Sequence, residues 1–325
     1  MKIVAIAAVL ALGCKSEPKP EPPPPPPKPV VDGVDLVSTG SPPRREVRYR
    51  LAKDARAELE LGLDVDLTTV EGVAQLPTLA MSLELLTTQL EPDGGGRIRS
   101  RVTAASAVDR PGASAALALM NAQAALLVGL EATAQVSPLG ELAASKIDAT
   151  GRDLSPAVHE QAKTLLQSLE QLAMPLPAEP IGVGAVWTYR KTIQLNQLTM
   201  VATTRVEVTG LADDQLGFAS TTQLTGEPQT ITLEQTTAQV TSLGGTGSGR
   251  GSIDLAHVTM TGEQRAELGF EMMLGSDRRA TRMVMVTRLG PASEPAAGSG
   301  AGGSAAGSAG SASATHDDQG AHSDP

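Results

Sequence analysis

The chain of 325 residues has one cysteine, Cys14, and only 2% aromatic residues: one tryptophan, two tyrosines and two phenylalanines. A single cysteine excludes a disulfide framework. So few rings mean that any core must be filled by Leu, Val, Ala and Met. The longest apolar run near the start, Ile3 to Leu12, stops well short of the roughly 20 residues that span a bilayer as a helix. The four histidines fall at no zinc or nucleophile spacing, and there is no Gly-x-Ser-x-Gly elbow. These absences argue against an enzyme, and no cofactor or metal site is expected. A net charge of -10 opposes phosphate backbones, so nucleic acid is not an expected partner.

What is present begins at the N-terminus. Met1-Lys2 supplies a positive charge, Ile3 to Leu12 an apolar segment and Gly13 a small residue before Cys14, which is the order of a secretory signal. The stretch Leu10-Ala11-Leu12-Gly13-Cys14 resembles the lipobox of bacterial lipoproteins, with Ala11 where that family usually has leucine. The resemblance implies lipidation of Cys14 and a cell-envelope location on a membrane. Each buried methylene of an acyl chain is worth about 0.8 kcal/mol, so several chains hold far more firmly than one. Lys15 rather than Asp after the cysteine leans, by the same resemblance, toward the outer membrane.

Residues 15–43 read as a linker, rich in proline and uninterrupted from Pro22 to Pro27. Polyproline II rises about 3.1 Å per residue, so a dozen residues reach roughly 35 to 40 Å. The folded domain is expected over residues 44–290, followed by a Gly/Ser/Ala tail over 291–325 with too few apolar groups to order itself.

Within the domain the dominant signal is period two. Ala57, Leu59, Leu61, Leu63, Val65 and Leu67 share one face, and Glu58, Glu60, Asp64 and Asp66 the other. Leu79, Met81, Leu83 and Leu85 repeat the pattern. Beyond Pro92-Asp93-Gly94-Gly95-Gly96, so do Ile98, Ser100, Val102 and Ala104, with Arg97, Arg99 and Arg101 opposite. An arginine face beside an acidic face points to cross-strand pairs, with a basic binding site as the bolder alternative. Ala113 to Val128 is expected to be a helix, buried because its apolar residues surround it. A hairpin turning at Ser137-Pro138-Leu139-Gly140 follows. Ser155-Pro156 then starts an amphipathic helix that runs to Ala173, beside whose apolar face His159 lies as an ordinary solvated side chain.

The segment from Leu176 to Trp187 is similar to the Leu-Pro-x-x-Pro and Val-Gly-x-x-Trp motif of uncharacterised bacterial envelope lipoproteins. That resemblance implies passage from a helix into a second antiparallel sheet and carries no activity. Trp187 is expected to be a buried packing anchor. Val47-Arg48-Tyr49-Arg50 and Trp187-Thr188-Tyr189-Arg190 each read as the opening of an extended meander. Gly244 to Gly251 has the glycines of a phosphate cradle but no Lys-Ser or Lys-Thr after it, and is expected to be a flexible hairpin loop. Met260, Met272, Met273, Met283 and Met285 gather in the closing strands. They either fill gaps in an aromatic-poor core or form an adaptable surface for lipid or peptide.

The fold class expected is α+β, a mainly antiparallel sheet curved as a half-barrel around one or two central helices. It resembles bacterial lipoprotein carriers of the LolA and LolB type, which implies a concave face able to hold a lipid or other hydrophobic ligand. The candidate ligand-facing residues are Leu268, Phe270, Met272, Met283 and Met285. The alternative is a structural or assembly component of the envelope acting through protein contacts, its partner unknown. A transmembrane barrel would need aromatic girdles that 2% aromatic content does not supply.

Overall fold

A computed structural model describes residues 31–148, 173–195, 197–233 and 236–292. Cys14, the proline-rich stretch, residues 155–172 of the expected amphipathic helix with His159, and the tail beyond Ala292 lie outside the described residues. The described residues all belong to one compact unit, Met1–Ala292.

The described chain is mostly antiparallel sheet with one helix. Its order is β1 (Val31–Ser38), β2 (Arg56–Thr69), β3 (Gly72–Gln75), β4 (Thr78–Leu90), β5 (Gly96–Val108), α1 (Ser114–Leu127), β6 (Glu131–Val136) and β7 (Leu142–Asp148). The second half continues with β8 (Val186–Leu195), β9 (Leu198–Ala212), β10 (Gln215–Gly226), β11 (Gln229–Leu233), β12 (Thr236–Asp254), β13 (Thr259–Leu274) and β14 (Asp277–Pro291). Alternation makes these strands because period-two side chains bury one face and wet the other. Tight turns join them. Between β4 and β5, Gly94 adopts φ 92° and the Asp93 carboxylate accepts the Gly95 N–H at 2.9 Å.

All strands lie in one sheet, in the order β1-β8-β9-β10-β12-β13-β14-β2-β4-β5-β6-β7, with β3 paired to β2 and β11 to β12. The decisive pairing is β14 with β2, running from Arg282 opposite Thr68 to Pro291 opposite Leu59. It welds the two meanders into one surface. The sheet is not closed, because β1 and β7 end the order as separate edges.

Four expectations are corrected. The linker does not run to Pro43: Val31–Ser38 forms β1 against β8, with Val34 and Leu36 packed on the core. Register shifts between Asp32 and Asp35 and between Leu36 and Ser38 break the period that would have revealed it. Gly244 to Gly251 is not a loop but the middle of β12, paired to β10 on one side and β13 on the other. Those ladders satisfy a backbone that carries few side chains.

Val47 to Leu51 does not open a strand. It crosses the core as an extended strut, with Val47 and Tyr49 almost wholly buried and the Arg50 N–H donated to Leu255 O at 2.8 Å. Finally, α1 is not buried all round. Within it only Ala124 and Leu127 are buried, while Leu119 is 48% and Leu126 49% exposed. The helix packs on β5 along one side, where the Asn121 side-chain carbonyl accepts the Ala107 N–H at 2.7 Å.

Candidate functional site

The side of the sheet bearing Leu59, Leu83 and Phe218 faces the core, and its apolar residues fall into two clusters. The larger joins Leu59, Leu83 and Val102 of the first meander to Trp187, Val206, Phe218 and Ile253 of the second. Trp187 is 0% exposed, the packing anchor expected of it. Its Nε1–H donates to Pro175 O at 3.0 Å. Tyr49 is fastened the same way: its hydroxyl accepts the Met174 N–H at 3.1 Å and donates to Met174 O at 3.2 Å. Burial pushes the Tyr49 phenol well above its usual range, so it remains a donor. The cluster is therefore sheet, strut and connecting segment locked by directional bonds.

The second cluster holds Leu198, Met200, Leu224, Ile231, Val240, Leu243 and Leu268, with Phe270, Met272, Leu274 and Met283 partly buried against them. All of these come from strands, and none of its members is a residue of the strut or of α1.

Between the clusters runs a single row of directly opposed residues: Tyr189, Thr204, Thr222, Gly247, Ala266, Met285 and Val65. It crosses seven strands, about 29 Å at roughly 4.8 Å per step. Chemistry changes along it. At the β8 end, Tyr189 is hydrogen bonded to Thr204, and Thr204 Oγ1 lies 3.0 Å from Thr222 Oγ1. Burial raises the Tyr189 phenol, opposed in part by the Thr204 hydrogen bond, so this end is a chain of protonated hydroxyls.

The middle is small. A methyl on Gly247 would meet Arg265 O at 3.3 Å and the Thr222 and Ala266 Cβ atoms at 3.5 and 3.8 Å, so the floor there is shallow but not closed. The β14 and β2 end is apolar: Met285 and Val65, flanked by Leu63 and Leu67, are half-buried and belong to neither cluster. Beside the floor the spacing tightens. A Cβ on Gly245 or Gly251 would strike the Glu267 or Thr261 carbonyl of β13, so only glycine lets the two strands approach on this side.

The residues anticipated from sequence are distributed as follows. Leu268, Phe270, Met272 and Met283 meet in the second cluster, Leu268 at 1% exposure and the others half-buried; Met285 stands in the row between clusters. Met260 is in the first cluster, away from them. Tyr189, Thr204 and Thr222 were not singled out from sequence. Their only signal was that Thr204 on β9 and Ser220 and Thr222 on β10 place hydroxyls on strand faces that are elsewhere apolar.

The opposite side of the sheet is charged. Arg99 and Arg101 reach Glu131 of β6 at 4.0 and 3.7 Å, rather than the acids of β2, because β4 intervenes. Asp64 of β2 instead meets Arg288 of β14 at 2.7 Å and Arg110 at 3.8 Å, and accepts the Thr78 hydroxyl. Burial works to raise the Asp64 carboxyl, but the Thr78 and Arg288 hydrogen bonds and the two guanidinium charges hold it below its usual value.

Among the described residues no helix is long and apolar enough to cross a membrane, and no three His, Cys, Asp or Glu side chains gather as a metal would require. No family model matches the chain, and no curated protein matches it.

Proposed function

We propose that the protein is a lipid-anchored module of a bacterial cell envelope that carries one hydrophobic ligand on the core-facing side of its sheet. In this reading Cys14 holds the acyl anchor, the proline-rich stretch sets the height above the bilayer, and the sheet curves as a half-barrel with α1 inside it. The observation that carries the reading is the set Leu63, Val65, Leu67 and Met285. Among the described residues these apolar side chains stand half-buried on the face that is packed on either side of them, yet join neither packed cluster. Apolar surface left between two cores is where a guest gains the most, at about 25 cal/mol per Å² removed from water. Methionine at 283 and 285 suits guests of variable shape.

Native mass spectrometry of the full chain carrying Cys14→Ser, which has no acyl group of its own at that position, tests this. A bound mass that organic solvent removes is expected, and a bare polypeptide mass in every preparation counts against the carrier.

The second reading, a scaffold acting through protein contacts, draws on the exposed Leu119 and Leu126 of α1. A stoichiometric protein crosslinked in intact cells through α1, with no ligand mass, would favour it.

A further inference from the structure

Resting on the carrier reading, the row between the clusters also says which way a guest lies. We propose that it is a single-chain amphiphile with an oxygen-bearing head, the head at the half-buried Thr222 hydroxyl, backed by buried Thr204, and the chain running over Gly247 and Ala266 to Met285 and Val65. Three features of the row converge on that class. First, Tyr189, Thr204 and Thr222 carry three hydroxyl protons, and the two contacts that link them use two. One proton is left over, and when Tyr189 donates to Thr204 and Thr204 to Thr222 it stands at Thr222 for an acceptor such as a carboxylate or ester oxygen. Thr222 is the half-buried end of the chain that faces the row, and its neighbour on the next strand is Gly247, which has no side chain to receive a proton.

Second, the floor beyond that hydroxyl is as low as a sheet allows, Gly247 then Ala266, so a methylene chain crosses without meeting a branched side chain. Third, polar groups do not recur along the row beyond Thr222: Ala266, Met285 and Val65 follow in register on β13, β14 and β2. A purely apolar guest would leave the hydroxyl proton unmatched, and a purely polar one would leave the methionine end wet; both are penalised.

Trp187, the only tryptophan, makes the orientation readable. It lies on β8 two residues from Tyr189, on the same face, opposite Val206. Full-length Cys14→Ser protein is titrated with palmitate brominated beside its carboxyl, with palmitate brominated at its far end, and with the matching bromoalkane, which has no oxygen. Bromine quenches indole at short range, so the carboxyl-side bromine should quench Trp187 more than the far-end bromine. Thr222→Val should then weaken both acids about three- to tenfold and leave the bromoalkane unchanged, the measure of one hydrogen bond.

Equal or reversed quenching by the two acids overturns the orientation while leaving a carrier, and so does an unchanged affinity for the acids in Thr222→Val. Absence of saturable binding by all three probes overturns the carrier reading and this one with it.

Discussion

The two apolar clusters are built from the same alternating strands and differ in what closes them. The first is bolted by side chains that bond to backbone: Tyr49 to Met174, Trp187 to Pro175. The second is bolted only at its β9–β11 end, where the Gln229 amide bonds the Thr199 backbone and the Gln197 amide the Thr232 backbone, while Phe270, Met272 and Met283 on β13 and β14 are half-buried. Directional bonds stiffen a buried face where they fall, and those of the second cluster fall on β9 and β11, away from the methionines of β13 and β14. The region nearer the methionines is accordingly the adaptable one, and the row between the two is where rigid wall meets adaptable rim.

The largest expected break in that contrast comes from truncating one residue in each cluster. Trp187→Ala should lose about 3–5 kcal/mol, as a wholly buried ring whose N–H also satisfies Pro175 O. Met272→Ala should lose less than about 2 kcal/mol, since that side chain is half-buried and its surroundings can collapse. Urea unfolding followed by far-ultraviolet circular dichroism measures both. Equal losses would mean that the two clusters are equally rigid.

Glycines sharpen the comparison at a smaller scale. Gly251→Ala should lose about 1–3 kcal/mol because its methyl would press on the Thr261 carbonyl, which belongs to backbone and cannot rotate away. Gly247→Ala should stay within about 1 kcal/mol, its nearest neighbours lying at 3.3 to 3.8 Å and alanine being favoured over glycine in the unfolded-state balance. Thermal midpoints of the two variants decide it. A Gly247→Ala loss as large as that of Gly251→Ala would show the row to be as tightly packed as its flanks.

The smallest effect concerns the charged side of the β14–β2 seam that joins the two meanders. Asp64 has a lowered carboxyl pKa, so its contribution is present above the unfolded value of about 3.9 and is lost as pH falls through the lower folded value. The wild-type urea midpoint should therefore drop between about pH 6 and about pH 3 by more than that of Asp64→Asn. Parallel drops in the two proteins would remove Asp64 from the seam's energetics.

How far the sequence reached is clear from particular stretches. Ala57 to Leu67 announced β2 because its apolar residues alternate with acidic residues and one glycine, and Ala266 to Met272 announced β13 in the same way. Val31–Ser38 stayed hidden because bulges near Asp35 and Ser38 shift the period. The glycines of β12 misled because glycine has low strand propensity in isolation, and a central strand stripped of side chains is tolerated only when both neighbours supply ladders. Of the candidate site, the methionine end was legible from composition. The hydroxyl end was not, since Tyr189, Thr204 and Thr222 are neighbours only through register.

The sequence by itself determined which residues of the regularly alternating strands share a face, because a strand repeats every two residues whatever it pairs with. Only the tertiary structure decided which inward residues meet: that β14 returns to β2 across more than two hundred residues, and that hydroxyls, a bare floor and methionine fall into one row. Pairing partners at that distance are chosen by how the completed sheet buries its surface, a sum over all strands that no local window of residues contains.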